Sequence, residues 1–160
     1  MPHSADASLE QLYRRPGFLL RRAHQLSVGI FEAECRDAGL TPAQYGALSV
    51  LAGATGIDQS TLSRALGFDR VTTLHVVRGL ERRGLLTRAA SPAQGRRLEL
   101  ALTDAGRALL VAARTPARRA HERLLSPLDA AEQQTLARLL HKLCAGLEPD
   151  ARNPVVPPGY

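Results

Sequence analysis

Residues 58–103 read DQSTLSRALGFDRVTTLHVVRGLERRGLLTRAASPAQGRRLELALT, and the order of signals within them decides the fold. Asp58 and Asp69 each precede a helical pattern, where a carboxylate accepts hydrogen bonds from the first unpaired N–H groups and complements the helix dipole. Leu62, Ala65 and Leu66 then recur at helical spacing, and Gly67 supplies a residue able to take positive φ where that helix ends. In the next helix Thr73, Val76, Val77 and Leu80 share one face, which leaves Arg70, Thr72, His75 and Arg78 on the other before Gly84 closes it. After Gly84 the period becomes two. Leu86 and Arg88, then Leu98, Leu100 and Leu102, flank a turn-rich segment over 90–95 that is too long for a two-residue turn. Two short helices joined by a tight turn and followed by a basic β-hairpin form the layout of a winged helix-turn-helix, whose natural partner is double-stranded DNA.

The charge distribution points the same way. The chain carries a net charge of +6 over 160 residues. Residues 69–97 hold seven arginines (Arg70, Arg78, Arg82, Arg83, Arg88, Arg96 and Arg97) against Asp69 and Glu81 alone, so the excess sits on the expected reading head. Exposed arginines near a turn are often merely solvated. Their concentration in this one segment is what phosphate neutralisation requires. The DNA-facing set is therefore Ser60, Thr61, Arg70, Val71, Thr72, His75 and Arg78 from the two helices, with Arg96 and Arg97 at the hairpin tip or just past it.

Length and a 44% hydrophobic content suit one packed domain with extensions. No apolar run is long enough to span a bilayer, and the opening residues, Met1 to Ser4, lack the charge-then-apolar pattern of a secretory signal, so a cytoplasmic protein without a membrane partner is expected. Cys35 and Cys144 lie far apart in sequence, which supports neither a disulfide framework nor a zinc ribbon, and both are expected to be buried and inert. Lys142 is the sole lysine, so the basic character is carried by arginine, which forks onto phosphate or guanine and fits a narrow minor groove. No HExxH, GxSxG, phosphate-binding glycine loop or acid–base carboxylate pair occurs, so neither an enzyme nor a cofactor is expected.

The remaining chain reads as helices built for pairing. Pro16 opens a helix whose stripe comprises Leu19, Leu20, Ala23, Leu26, Ile30 and Phe31 and runs towards Cys35; Thr41 and Pro42 start another with Tyr45, Leu48, Val50 and Leu51. Thr103 and Asp104 begin a third with Ala108, Leu109, Val111 and Ala112, in which Pro116 predicts a kink before Leu124 and Leu125. A last helix follows Asp129 and carries Leu136, Leu139, Leu140, Leu143 and Leu147. That apolar surface exceeds what a small winged module covers, which predicts a homodimer. The expected architecture is mainly α with a small β-wing. Its parts are a flexible extension over 1–12, a helical dimerisation region built from both chain ends (13–40 and 104–148), a winged helix-turn-helix over 41–103, and a Pro-rich tail over 149–160.

From about Tyr13 to Leu147 the chain resembles the MarR (multiple antibiotic resistance regulator) family of bacterial transcription factors. The resemblance is carried by LTPAQYGALSVL at 40–51, DQSTLSRALGFDR at 58–70, LERRGLL at 80–86 and GRRLELALTDAGRALL at 95–110. It implies an obligate dimer on a palindromic operator, recognition helices in adjacent major grooves, wing arginines in flanking minor grooves, and release when a small molecule or oxidant binds. Two positions depart from the family pattern. Gln94 stands where the wing usually carries an acid two residues before its minor-groove arginine, matched here to Arg96, and Val71 stands where a serine is common in the recognition helix. A valine does not hydrogen-bond phosphate but does contact a thymine methyl.

For the signal sensed, PGFLLRRAHQ at 16–25 is similar to members that control aromatic-acid catabolism, in which an arginine of this helix holds the ligand's carboxylate. The likeness implies Arg21 first and Arg15 second. His24 and Ser27 follow at one-turn steps from Arg21, and Tyr45 offers an aromatic wall to an effector that is an aryl carboxylate or its thioester. Four arginines beside an apolar stripe are equally a solvated face. A redox switch at Cys35 or Cys144, a metal switch at His121, Glu122, His141 and Cys144, and a non-sensing module that compacts DNA or contacts proteins are the other readings, each with sparser support.

Overall fold

The computed structural model describes residues 3–90 and 98–158. Seven helices and one hairpin follow one another: α1 His3–Arg14, α2 Pro16–Glu34, α3 Pro42–Gly53, α4 Gln59–Leu66, α5 Arg70–Arg82, β1 Leu86–Ala90, β2 Leu98–Leu102, α6 Asp104–Leu125 and α7 Ala130–Leu147, with a 3-10 turn at Glu148–Asp150. Local chemistry sets most of the boundaries. Pro16 occupies the first turn of α2, and Thr41 with Gln44 forms a reciprocal capping box at α3. Asp58 accepts from the Thr61 N–H at 2.7 Å at the head of α4, Asp69 accepts from the Thr72 N–H at 2.7 Å at the head of α5, and Asp129 with Glu132 boxes the start of α7. Gly67 ends α4 at φ +65°, the left-handed conformation that carries little cost only without a Cβ.

The core lies between α3, α4, α5 and the hairpin. Ala47, Leu48, Leu62, Val77 and Leu80 are wholly enclosed, and Leu51, Ile57, Leu86, Leu100 and Leu102 close the cluster. The strands pair antiparallel from Leu86 opposite Leu102 to Ala90 opposite Leu98. The Leu100 N–H donates to the Ile57 carbonyl at 2.7 Å and so ties the hairpin to the residue that introduces α4. At the other end of the hairpin, Thr103 caps α6 by accepting from the Gly106 N–H at 3.0 Å and donates its hydroxyl to the Gly84 carbonyl at 2.7 Å. Gly106 is needed there, because a Cβ on it would lie 2.0 Å from the Leu85 carbonyl oxygen.

Several expectations need correction. The stretch 1–12, expected as an extension, overlaps helix α1, His3–Arg14. Helix α6 holds Pro116 within one continuous element, which a kinked helix also does; its inward residues are Leu110, Ala113 and Ala120, whereas Val111, placed on the apolar stripe, is 60% exposed. An Ala- and Arg-rich helix offers too few large apolar side chains to mark its inner face. Leu98, counted in the apolar alternation, is exposed at the strand end, and Cys144 is exposed in the single chain whereas Cys35 is buried.

Two helices are left open. Neither α2 nor α7 has a fully buried residue within it, and Leu19, Leu20, Leu26, Leu136, Leu139, Leu140, Leu143 and Leu147 all stand exposed. Beyond the 3-10 turn the chain is irregular yet docked. The Val156 N–H donates to the Arg64 carbonyl at the end of α4 at 2.9 Å, the Val155 N–H donates to the Glu148 carboxylate, and the Val155 side chain sits where a Cβ on Gly67 would point.

Candidate nucleic-acid interface and effector cleft

Helix α5 divides as its sequence pattern requires. Thr73, Val77 and Leu80 are buried, and Arg70, Val71, Thr72, His75 and Arg78 are exposed on the opposite face, with Val71 63% exposed. Its first turn is locked by Asp69, whose carboxylate also accepts from the Thr72 hydroxyl at 2.9 Å. Those bonds from Thr72, the backbone N–H first and the hydroxyl second, hold the Asp69 carboxyl below the usual carboxylate range. Ser60 is exposed in the first turn of α4, while Thr61 is half-buried with its N–H committed to the Asp58 cap. Between α4, the head of α5 and the hairpin runs a concavity lined by Asp58, Ser60, Ser63, Arg64, Arg70 and Arg88. The Ser63 hydroxyl is committed to the Phe68 carbonyl at 2.6 Å, so Ser60, Arg64 and Arg70, beside two helix N-termini, are the groups on this surface able to donate to phosphate.

The arginines do not all serve that face. Arg83 donates to the carbonyls of Gly39 at 2.7 Å and Ala38 at 2.8 Å, which fastens the end of α5 to the α2–α3 connection. Arg88 pairs with Glu81 at 3.2 Å and reaches the Gln59 side chain at 3.5 Å. Two of the seven arginines assigned to the reading head therefore hold the fold together. Arg70, Arg78 and Arg82 have no ion pair among the described residues, and the last two share a shallow surface with His75 and Glu81. Arg96 and Arg97, the expected minor-groove residues, lie outside the described residues, as does Gln94.

The expected effector residues do not form one group within a chain. Tyr45 packs against Phe31 of α2 with ring centroids 5.5 Å apart. It lines a cleft of about 220 Å³ between α3 and α6, together with Ser49, Ala52, Gly53, Leu110 and Arg114. Arg15, Arg21, His24 and Ser27 are not among the lining residues. Arg21 instead lies over the Phe18 ring, 4.9 Å from its centroid, and Tyr13 meets the same ring edge-on at 5.0 Å. Arg21 precedes Phe31 by ten residues, a separation of roughly 15 Å along a helix, beyond the reach of its side chain. Arg15 and His24 are exposed, and Ser27 is half-buried one turn before Phe31.

Arg114 is the cleft residue that sequence reasoning missed. Its neighbours three and four residues away are Leu110, Val111, Ala117 and Arg118, so α6 offers it no carboxylate at helical spacing.

Cys35 is enclosed between α2 and α6, beside Glu34, which pairs with Arg119 at 3.2 Å and Arg123 at 3.3 Å. Burial above all, then the negative charge of Glu34, pushes its thiol up despite Arg119, the reverse of what a redox thiolate needs. No three His, Cys, Asp or Glu side chains converge on a common point among the described residues. No helix of the described residues is long and apolar enough to cross a membrane.

The sequence matches the model of the MarR family over residues 38–97. It is 35% identical over 128 residues to a putative transcriptional regulatory protein for the hcr operon of Thauera aromatica, covering 79% of this chain and 77% of that one. Among solved structures, a probable transcriptional regulator from Pseudomonas aeruginosa superimposes with a TM-score of 0.79 at 40% identity, over 82% of this chain and 98% of that one. BpsR of Bordetella bronchiseptica, whose DNA binding is regulated by 6-hydroxynicotinic acid, superimposes with a TM-score of 0.75 at 30% identity, over 81% and 94% of the two chains.

Proposed function

The chain belongs to the MarR family of transcriptional regulators, and on that footing we propose that it is a homodimeric repressor that binds a palindromic operator and leaves it when an aromatic carboxylate or its thioester binds. The observation that carries the DNA half of this reading is the division of α5, with Thr73, Val77 and Leu80 buried and Arg70, Val71, Thr72, His75 and Arg78 presented to solvent. A helix anchored on one face and basic on the other enters the major groove, where Arg78 reaches phosphate or guanine and Val71 offers an apolar contact to a thymine methyl. Arg96 and Arg97, which lie outside the described residues, are the sequence's candidates for the flanking minor-groove contacts.

Pairing follows from the surface left open. The exposed leucines of α2 and α7, with the apolar groove formed by Leu128, Ala131, Leu136 and Leu139, form the kind of surface a second copy covers. Two-fold symmetry then places two α5 helices in successive major grooves, one helical turn apart, which is what makes the operator a palindrome.

The effector half rests on the cleft beside Tyr45 and on the regulation of the similar BpsR by a small aromatic acid. The cleft lies between α6, which leads into the α7 arm, and α3, which packs on the reading head; a ligand wedged there changes the angle between the two α5 helices of a dimer. The test is a fluorescence-anisotropy titration of a labelled fragment from upstream of the protein's own coding sequence, repeated with a panel of aromatic acids and their thioesters. Sequence-selective binding that at least one panel member reverses is expected. Binding indifferent to sequence, or a panel without effect, contradicts the respective half.

A further inference from the structure

We infer that Arg114 holds the effector's carboxylate in the cleft it shares with Tyr45 and Ser49, so that the site takes the free aromatic acid in preference to its thioester or amide. This rests on the effector reading above and assigns its charge-recognising residue to α6 instead of α2.

Helix α6 carries five arginines. Arg118 pairs with Glu122 at 2.7 Å, Arg119 and Arg123 both pair with Glu34, and Arg107 donates to the Leu102 carbonyl at 3.4 Å. Arg114 has no ion pair or side-chain hydrogen bond among the described residues, and it is the one that lines the cleft. The other cleft groups complement it. The Ser49 hydroxyl donates to the Tyr45 carbonyl at 2.8 Å, so Ser49 presents its remaining lone pairs and accepts from a ligand hydroxyl without competing for a carboxylate. Leu110 and the Tyr45 ring, itself backed by Phe31, provide the apolar walls for an aromatic ring.

The volume of about 220 Å³ is of the size a single-ring acid fills. A guanidinium donates two parallel bonds to a carboxylate, but to a thioester carbonyl it offers one bond without charge pairing. Arg21, the alternative from α2, is engaged with Phe18 and stands about 15 Å along the helix from the residue that meets Tyr45.

Calorimetric titration of the protein with 4-hydroxybenzoate, 6-hydroxynicotinate and the amide of each tests the assignment, with operator affinity measured in parallel. The parent protein is expected to prefer acid over amide. Arg114→Gln should weaken acid binding tenfold or more and erase that preference, while operator affinity without effector stays at the parent value. Arg114→Lys should recover only part of the preference, because an ammonium lacks the planar fork, and Arg21→Ala should leave it intact. An Arg114→Gln variant that still discriminates acid from amide, or an Arg21→Ala variant that does not, overturns the assignment. Failure of the parent protein to bind either acid overturns the effector reading itself, and the anchor with it.

Discussion

Arg78 and Arg83 lie within six residues of each other and do opposite work. Arg78 stands exposed on α5 without an ion pair among the described residues, whereas Arg83 is spent on the carbonyls of Ala38 and Gly39. Charge density in the sequence could not separate them, since what commits Arg83 is a connection more than forty residues away in sequence. Arg78→Ala should leave the melting temperature within error of the parent, weaken operator binding and reduce the dependence of log affinity on log salt by about one. Arg83→Ala should instead destabilise the fold by about 1 kcal/mol in urea denaturation, because two charge-assisted bonds in a solvent-exposed setting are lost. A loss of stability without change in salt slope for Arg78→Ala would reverse the two roles. At Cys35 the thiol is buried and its pKa raised, so at pH 8 its alkylation by iodoacetamide should be far slower than that of the urea-unfolded chain. Reaction at the unfolded rate would return Cys35 to the list of redox candidates.

At the scale of elements, caps were legible and packing faces were less so. Asp58, Asp69, Thr103 and Asp129 announced four helix starts because capping is a local bargain between one side chain and the next turn. The burial of α6 and the path of the tail depend on partners distant in sequence, and the Ala- and Arg-rich pattern of α6 carries no strong period. The same distance hid Arg114 from the sequence reading of the cleft, because its role comes from α3 lying opposite. Gly106 is the plainest case. Nothing near it in sequence requires glycine, yet a Cβ there meets the Leu85 carbonyl at 2.0 Å. Gly106→Ala should therefore destabilise the protein by more than 3 kcal/mol or prevent folding, since backbone has to move and hairpin and α6 are joined at that point. Gly67→Ala, with a left-handed backbone and Val155 2.8 Å from the new carbon, should cost roughly 1–3 kcal/mol. A Gly106→Ala protein as stable as the parent would show that the α6–hairpin junction is not the close approach described.

The whole molecule is a capped reading head joined to two helices, α2 and α7, that have no fully buried residue within one chain and leave several leucines exposed. Ending the chain before Asp129 removes Leu136, Leu139, Leu140 and Leu143, and should give monomer or insoluble protein; a well-folded truncated dimer in sedimentation would place the interface elsewhere. On the proposed reading DNA recognition depends on that pairing, because one α5 helix would read one half-site and only two copies would read a palindrome. The most direct measurement is therefore binding to the protein's own upstream DNA as a function of salt and of half-site number. Two chains per duplex are expected, with log affinity falling steeply and linearly with log salt and with a large loss when one half-site is scrambled. One chain per duplex, or affinity unchanged by scrambling the half-site, would contradict a dimeric sequence-reading repressor.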